Sequence, residues 1–200
     1  QHWDPLKLCV VGKSYPPEFY NFIKDSKVRN VFEKIASETE EDYQSLIKLL
    51  TSLGVESVRP EISTDISDYF DGTKYLPPPM VPRDYMSMVG TQFHFNDGGY
   101  KQCYTDLLNK IEYAGNTIKH ETGINGASTT RVGKDLYFGT TMGTVVTDNG
   151  QYTKLFPNYR CHVIDTQGHS DATFCPVVPG LIVSLLDVPT YKDTFPDWEV

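Results

Sequence analysis

The segment His169-Ser170-Asp171 combines two residue types that can do chemistry. Residues two apart on an extended chain point to the same side, so a strand here would put the carboxylate beside the imidazole. A carboxylate in that place can orient or charge-stabilise a histidine that acts as a general acid–base catalyst. A surface histidine beside a turn aspartate gives the same pattern, and the motif alone favours that alternative. The apolar residues 172–174 favour catalysis, because they place the pair at the start of a predicted core strand.

Two other polar clusters also precede predicted strands. Arg83-Asp84 is the first, and the carboxylate of Asp84 could bind a guanidinium through two hydrogen bonds. A loop ion pair between Arg83 and Asp84 explains that cluster equally well. The second cluster, Asn125-Gly126-Ala127-Ser128, is uncharged and by itself predicts only a turn.

The three clusters share one context, which indicates an internal repeat. Each precedes a strand, a turn with a glycine (Gly90, Gly133 or Gly180) and a second strand, and the glycines are 43 and 47 residues apart (133 − 90 and 180 − 133). Asp4-Pro5, ahead of Gly12, is a fainter fourth copy. Repeated ββαβ units around an axis would put every cluster at the same end of its strand. The sequence therefore predicts an α/β fold whose polar clusters converge on one central pocket.

Hydrophobic periodicity predicts the elements between the clusters. Residues 41–53 show the i, i+3, i+4 apolar spacing of a helix, which ends at Gly54. His94 alternates with Phe93 and Phe95 and is predicted on the outer face of its strand. The other predicted helices are 100–113 and 150–156, and the predicted strands are 6–11, 55–60, 86–89, 92–95, 116–120, 128–132, 135–139, 161–165, 172–178 and 181–186.

Composition and charge limit the classes of function. The 200 residues suffice for one domain, 1–200, with a sizeable core. A net charge of -8 argues against a phosphate-binding surface, so no nucleic acid is expected as a partner. The longest apolar stretch, 172–186, contains Pro176, Pro179 and Gly180, so no membrane span is predicted. No signal peptide is predicted at the start of the sequence, although a mature N-terminus at Gln1 could hide one, and a cytoplasmic location is expected.

The four cysteines, Cys9, Cys103, Cys161 and Cys175, form no CxxC pair and no cluster with histidine. Neither a metal site nor a thioredoxin motif is therefore predicted, and the wide spacing fits reduced thiols. Cys175 is near His169 in sequence and is the tempting local nucleophile. Because it falls inside an apolar predicted strand, we expect a buried neutral thiol there and no catalytic role.

Five short segments occur in a fixed order along nearly the whole chain. They are HWDPL with CVVG (2–12), LGV with VRP (53–60), VPRD with MVG (81–90), NGA with RVGKDL (125–136), and GHSDATF with PGL (168–181). Each segment is weak alone, but five in the same order are specific. Together they resemble glycine (arginine:glycine) and inosamine amidinotransferases of the guanidino-group-modifying (pentein) superfamily.

The resemblance implies a five-bladed α/β propeller of ββαβ units, with the last repeat missing from these 200 residues. It also implies that a cysteine thiolate attacks the guanidino carbon of arginine or another guanidino compound. An acceptor amine then resolves the covalent amidino-cysteine intermediate. No metal or organic cofactor is expected for this chemistry.

The resemblance also implies roles for particular residues. His169 would be the general acid–base catalyst, with Asp84 and Asp171 gripping the guanidinium and orienting the imidazole. The other residues matched to substrate-binding motifs are Arg83, Asn125 and Ser128. Three departures affect the match: Asn125 and Ser128 stand where the family has acids, Val188 aligns with a substrate-binding arginine, and the nucleophilic cysteine belongs to a repeat beyond Val200.

Three explanations fit these departures. The chain is part of a longer enzyme, or one piece of a split enzyme completed by another polypeptide, or a degenerate member with a binding, structural or regulatory role, for example phage-borne. Arginine deiminase and dimethylarginine hydrolase activities use the same chemistry and remain alternatives. A ring without its last blade exposes strand edges, so we expect a completing chain or a homo-oligomer. For the 200 residues alone, we expect no turnover.

Overall fold

The computed structural model describes residues 5–63, 65–70, 72, 74–139, 150–164, 166, 169–173, 175–184, 195 and 197–199. The strands are β1 (Leu8–Val10), β2 (Glu56–Val58), β3 (Met86–Val89), β4 (Gln92–Phe95), β5 (Thr117–His120), β6 (Thr129–Val132), β7 (Asp135–Gly139), β8 (Arg160–Ile164), β9 (Cys175–Val178) and β10 (Leu181–Val183). The α-helices are α1 (Ser26–Ser52), α2 (Thr105–Tyr113), α3 (Gly150–Leu155) and α4 (Ser170–Thr173). Short 3-10 turns occupy Pro17–Phe22, Ile66–Asp68, Pro82–Asp84 and Lys101–Tyr104.

The predicted ββαβ repeat is present twice in full. Strands β3, β4 and β5 form one sheet in that order, with α2 between β4 and β5 in the chain. Strands β6, β7 and β8 form the second sheet, with α3 in the corresponding place. In each sheet the first two strands are antiparallel, and β8 runs parallel to β7. The repeat inferred from the turn glycines is therefore confirmed.

A third repeat begins with the antiparallel hairpin β9–β10. Glu199 pairs in parallel with Leu181 on β10, with its amide donating to Gly180 O and its carbonyl accepting from Ile182 N, both at 2.8 Å. This bridge has the same sense as the pairing of β8 with β7. The turn glycines Gly90, Gly133 and Gly180 all have positive φ, between 62° and 93°, so each hairpin uses a conformation that favours glycine.

The chain forms two compact units. One, here the helical unit, comprises residues 6–82 and 97–118, and the other, the sheet unit, comprises 83–96 and 119–200 with 1–5. In the helical unit, β1 and β2 are parallel and are joined by α1. A core around Val11, Leu50 and Val55 forms there. The sheet unit has one core of Val89, Ile124, Leu136, Phe138, Phe156 and Cys161, and another of Tyr137, Ile164, Ile182 and Phe195.

Helix α1 is twice as long as the predicted helix 41–53. It begins after Asp25, whose carboxylate accepts hydrogen bonds from Lys27 N at 2.8 Å and Val28 N at 3.3 Å. This is an aspartate N-cap, which satisfies two of the amides that a helix start leaves unpaired. The helix ends at the predicted place, where Gly54 adopts a φ of 73°.

His94 lies in the core, so its predicted position on an outer face is wrong. It is fully buried, and its Nδ1 lies 2.9 Å from Thr122 Oγ1. Its ring is 5.0 Å from that of Phe156. The neighbours Phe93 and Phe95 are buried too, so both faces of β4 are covered and alternation carries no information about burial.

The burial of His94 makes stability depend on pH. Burial, and then the charge of Lys119, lower the pKa of His94. His94 binds a proton more readily in the unfolded state than in the folded state. The free energy of unfolding is therefore fully retained above about pH 6.5 and decreases as the pH drops below that value. His94→Gln is therefore expected to reduce the loss of melting temperature between about pH 7.5 and pH 5.5, on either side of the ordinary histidine pKa. His120→Gln, at an exposed histidine, is the control, and equal pH dependence in wild type and His94→Gln would contradict the expectation.

Candidate functional site

The three polar clusters come together in the sheet unit. Arg83 and Asp84 end the 3-10 turn that precedes β3. The cluster 125–128 precedes β6, and His169 stands directly before α4, which leads into β9. Each cluster therefore occupies the same place in its repeat, as the sequence predicts.

Equivalent backbone hydrogen bonds join successive clusters. Ala127 N donates to Arg83 O at 3.0 Å, and Asp171 N donates to Ala127 O at 3.0 Å. The spacing is 44 residues in both cases (127 − 83 and 171 − 127). The fully buried Ser170 adds a hydrogen bond from its Oγ to Ala127 O at 3.1 Å. Successive repeats therefore contact each other in the same way. This contact fixes the backbone positions from which the polar side chains of each cluster extend.

Gly126 allows this close approach. Its amide donates to Met86 O at 2.9 Å. A Cβ at this position would lie 3.0 Å from Met86 O and 3.4 Å from Arg83 Cγ, which is tighter than ordinary contact. A larger residue at 126 would therefore push the first and second clusters apart.

Two pairs of ionisable side chains join different clusters. His169 Nδ1 lies 3.8 Å from Asp84 Oδ1, and Arg83 Nε lies 3.3 Å from Asp171 Oδ2. Arg83 also donates a hydrogen bond from Nη2 to Gly126 O. The first distance is too long for a hydrogen bond, but it suits an ion pair with a protonated imidazole. The four side chains are 32–53% exposed, so water screens these charges and the groups are accessible to a ligand.

His169 and Asp171 do not lie on one side of an extended strand, so that prediction is wrong. Residues 170–173 form α4, and β9 begins only at Cys175. Successive helical residues are about 100° apart, so positions two apart point in nearly opposite directions. Within the described residues no hydrogen bond or ion pair joins these two side chains. The carboxylate beside His169 is that of Asp84, and Asp171 pairs with Arg83.

Asn125 and Ser128 are engaged in a turn. Asn125 Oδ1 accepts a hydrogen bond from Ser128 N at 2.8 Å, a local contact for which asparagine is well suited. Ser128 O accepts a hydrogen bond from Gly139 N at 2.9 Å. Both residues therefore shape the second cluster. A direct contact with substrate stays a prediction for them.

Cys175 is exposed, so the predicted burial of its thiol is wrong. It is the first residue of β9 and not the middle of a longer apolar strand. That Cys175 is not the nucleophile therefore stays a prediction. Burial of the thiol no longer supports it. Val188, matched to the family's substrate-binding arginine, lies outside the described residues, as do Asp4 and the predicted strand end 185–186.

The contact of Arg83 with Asp171 was not predicted. The two residues are 88 positions apart (171 − 83), so no local spacing signals their contact. Among the described residues no group of three or more His, Cys, Asp or Glu side chains is arranged to hold a metal ion. In the same residues no helix has the length and apolar character that crossing a membrane needs.

Solved structures of two amidinotransferases and a DDAH have the same fold. An amidinotransferase from Microseira wollei, of the saxitoxin biosynthetic pathway, has a TM-score of 0.76 and 17% identity over 99% of this chain and 73% of its own. The inosamine-phosphate amidinotransferase from Streptomyces griseus has a TM-score of 0.76 and 19% identity over 100% and 73%. A DDAH from Pseudomonas aeruginosa, solved with citrulline, has a TM-score of 0.61 and 9% identity over 95% and 74%.

The sequence itself matches no protein-family model, and no curated protein matches it. The structural likeness nevertheless extends over almost all of the chain. The chain therefore has the α/β fold of the pentein superfamily and is similar in structure to its amidinotransferases, as the sequence resemblance implied.

Proposed function

We propose that the chain is the larger part of an amidinotransferase-like enzyme, which moves an amidino group from arginine or another guanidino compound to an acceptor amine. The observation that carries the proposal is that Asp84 lies 3.8 Å from His169, beside the pair of Arg83 and Asp171, where three repeats meet. A carboxylate that can hold a guanidinium thereby lies beside an imidazole that can move a proton.

The chemistry needs a cysteine thiolate, which we place in polypeptide beyond residue 200. The thiolate attacks the guanidino carbon, and the bond from that carbon to the departing amine breaks. His169 gives its proton to the departing amine. It then takes a proton from the acceptor amine as that amine attacks the amidino carbon and releases the thiolate.

Asp84 is the carboxylate best placed to hold the substrate guanidinium. Its only ion-pair partner within the described residues is His169, at 3.8 Å. A guanidinium bound by Asp84 would therefore sit next to the proton donor. Asp171 is already paired with Arg83, so its first role is to keep the third cluster in place. Arg83, Asn125 and Ser128 complete the lining of the proposed substrate site.

The proposal includes the architecture of the whole enzyme. We place residues 1–200 in one domain, because the chain passes from one compact unit to the other more than once. That domain forms all but the last repeat of a five-bladed α/β propeller. A following segment, a completing chain or a homo-oligomer would supply the rest, and the location would be cytoplasmic.

A pentein-fold binding protein is the second candidate. It is favoured by the ion pair between Arg83 and Asp171, which occupies one of the two carboxylates with a guanidinium of the chain itself. The turn contact of Asn125 also engages its amide oxygen with Ser128 N. A hydrolase of arginine or methylated arginine differs from the first candidate only in using water as the acceptor.

Turnover by the natively purified protein, together with any chain that co-purifies, tests the proposal. The substrates are L-arginine labelled in its guanidino group and glycine as the acceptor amine. We expect a labelled guanidino product and an intact mass above 22.6 kDa or a second chain with the cysteine. His169→Ala is expected to lower turnover by roughly 10²–10⁴-fold with unchanged circular dichroism, because a general acid–base catalyst is lost.

The control is His120→Ala, which removes an exposed histidine away from the three clusters and should leave turnover unchanged. Labelled product that forms only with water as acceptor would replace the transferase by a hydrolase. Binding of arginine without any product would support the binding protein. Equal turnover in wild type and His169→Ala would contradict the role of His169.

A further inference from the structure

A pocket lies at the turn end of the hairpins of the sheet unit, away from the three clusters. Its walls come from the β3–β4 turn (residues 89–92), from Lys134 in the β6–β7 turn and from residues 156–159, which precede β8. Its volume is about 360 Å³, within the range of pockets that hold small molecules. The four residues of β3, about 13 Å at about 3.3 Å each, separate this pocket from Arg83 and Asp84.

Lys134 gives the pocket a positive charge. Its Nζ lies 5.1 Å from the centre of the Tyr159 ring, and a cation over such a ring is held in place without losing its charge. Within the described residues the Lys134 ammonium has no carboxylate partner. The carboxylate next to it in the chain, that of Asp135, is bound by Arg160 through both oxygens. The charge of Lys134 is therefore available to a ligand.

The other polar side chains around the pocket can all donate hydrogen bonds. They are the hydroxyl groups of Thr91 and Tyr159 and the amide groups of Gln92 and Asn158. Within the part of the chain that the structure describes, none of these four groups makes a hydrogen bond to another protein group. The same part contributes no Asp or Glu to the pocket wall. Positive charge and donors that no protein group uses suit an anion with several acceptor oxygens.

Tyr159 brings the two turns to the same place. A Cβ on Gly90 would lie 3.1 Å from Tyr159 Oη, so this hydroxyl lies against the β3–β4 turn. The ring of the same residue lies under the ammonium of Lys134, from the β6–β7 turn. One tyrosine therefore places the charge of one repeat beside the turn of the preceding repeat.

We propose that this pocket binds the phosphate group of a small molecule, with Lys134 as the counter-charge. A phosphate group offers three strong acceptor oxygens to the ammonium and the neutral donors, whereas a carboxylate offers two. The pocket is larger than a phosphate ion, so it also has room for the organic part of a phosphate ester. The net charge of -8 argues against an extended phosphate-binding surface, but not against a pocket whose described wall carries no carboxylate.

The inference does not depend on the chemistry proposed above, because none of these residues belongs to the three clusters. A single lysine at an open site gives a modest affinity. We therefore expect a dissociation constant on the order of 1 mM at low salt, which rises as salt screens the charge.

The test is a titration of the ¹⁵N-labelled protein, kept with any chain that co-purifies, followed by NMR at constant ionic strength. The probes are inorganic phosphate and glycerol 3-phosphate, with sodium chloride as the reference. We expect saturable shifts at the amides of residues 90–92, 134 and 158–159. Lys134→Gln is expected to weaken binding by at least about 10-fold, and Tyr159→Phe, which keeps the ring but removes the hydroxyl, by about 2–10-fold. Tighter binding of glycerol 3-phosphate than of phosphate would assign the site to phosphate esters, and equal binding to free phosphate.

The matched control is Lys48→Gln, which removes the same charge from an exposed lysine on α1. It is expected to bind both probes like the wild type. Equal affinity in Lys134→Gln and the wild type would overturn the proposal. Shifts that do not saturate in the millimolar range, or that spread over the whole surface, would overturn it too. An equal loss in Lys48→Gln would show that only the overall charge matters and would overturn it as well.

Discussion

Gly12→Ala is expected to destabilise the helical unit by more than about 4 kcal/mol, enough to unfold much of it. A Cβ at this position would overlap the carbonyl oxygen of Met80 and lie 2.5 Å from its carbon and 2.9 Å from its Cα. These are backbone atoms, so no side-chain rotation removes the overlap.

The surrounding contacts prevent the two segments from moving apart. Met80 O accepts a hydrogen bond from Tyr43 Oη at 2.8 Å, which ties it to α1. Gly12 O accepts a hydrogen bond from Arg59 Nη2 at 2.7 Å, and Arg59 also binds both carboxylate oxygens of Glu40. The hydrogen bonds from Arg59 lower the pKa of Glu40, which shows that the pair favours the ionised carboxylate. Separating Gly12 from Met80 would break this set of contacts.

Urea denaturation followed by circular dichroism measures the effect. Gly54→Ala is the control, because Gly54 has a φ of 73° but no atom within 4 Å of a Cβ there. The free energy of unfolding of this control is expected to be lower than that of the wild type by only about 1 kcal/mol, from backbone strain alone. A Gly12→Ala variant within about 1 kcal/mol of the wild type would show that the two segments separate easily.

The repeats were predictable from sequence because their signals are local. A glycine with positive φ between two apolar runs marks a tight hairpin, and the sequence contains three of them. Strands β3, β4 and β7 therefore have the predicted ends. Regular spacing of the turns then predicts that equivalent positions of successive repeats meet. Two backbone hydrogen bonds, each between residues 44 positions apart, confirm this.

The start of α1 and the conformation of residues 169–173 were not predicted. Val28, Val31 and Ile35, in the first half of α1, have the i, i+3, i+7 spacing of a helix although they are exposed, so the longer helix was open to prediction. Residues 170–173 turn into a helix where Ser170 Oγ and Asp171 N both bond to Ala127 O. That carbonyl is more than forty residues away, so the local pattern favoured a strand.

The identities of the candidate site residues came from the sequence, but their pairing did not. Their closeness in the chain predicts Asp171 beside His169. In the structure Asp84 lies beside the imidazole and Arg83 beside Asp171. Pairing across repeats depends on the register between them, which backbone contacts at Gly126 and Ala127 set and no short motif records.

The pairing of Asp84 with His169 and of Asp171 with Arg83 leads to a prediction about the binding of L-arginine. Asp84→Asn is expected to weaken the binding of L-arginine by about 10–100-fold, since a hydrogen bond to a charged group contributes about 1.5–3 kcal/mol. Asp171→Asn is expected to weaken it less, because Arg83 already balances that carboxylate. Isothermal titration calorimetry at low salt measures both, with Asp106→Asn on the exposed face of α2 as the control. Equal losses in the two site variants would contradict the assignment of Asp84 as the guanidinium ligand.

The Arg83→Met variant distinguishes two roles of Arg83, holding Asp171 and contacting the substrate, which the sequence does not tell apart. If Arg83 only holds Asp171, its loss frees a second carboxylate, and the affinity for L-arginine should stay the same or rise. The cost in stability should be no more than about 1 kcal/mol for the ion pair, because its side chains are 53% and 32% exposed. If Arg83 instead contacts the ligand, for example through a carboxylate of arginine, affinity should fall. The sign of the change therefore decides whether Arg83 is a substrate-binding residue, as the resemblance implies, or a guanidinium that the chain places in its own site.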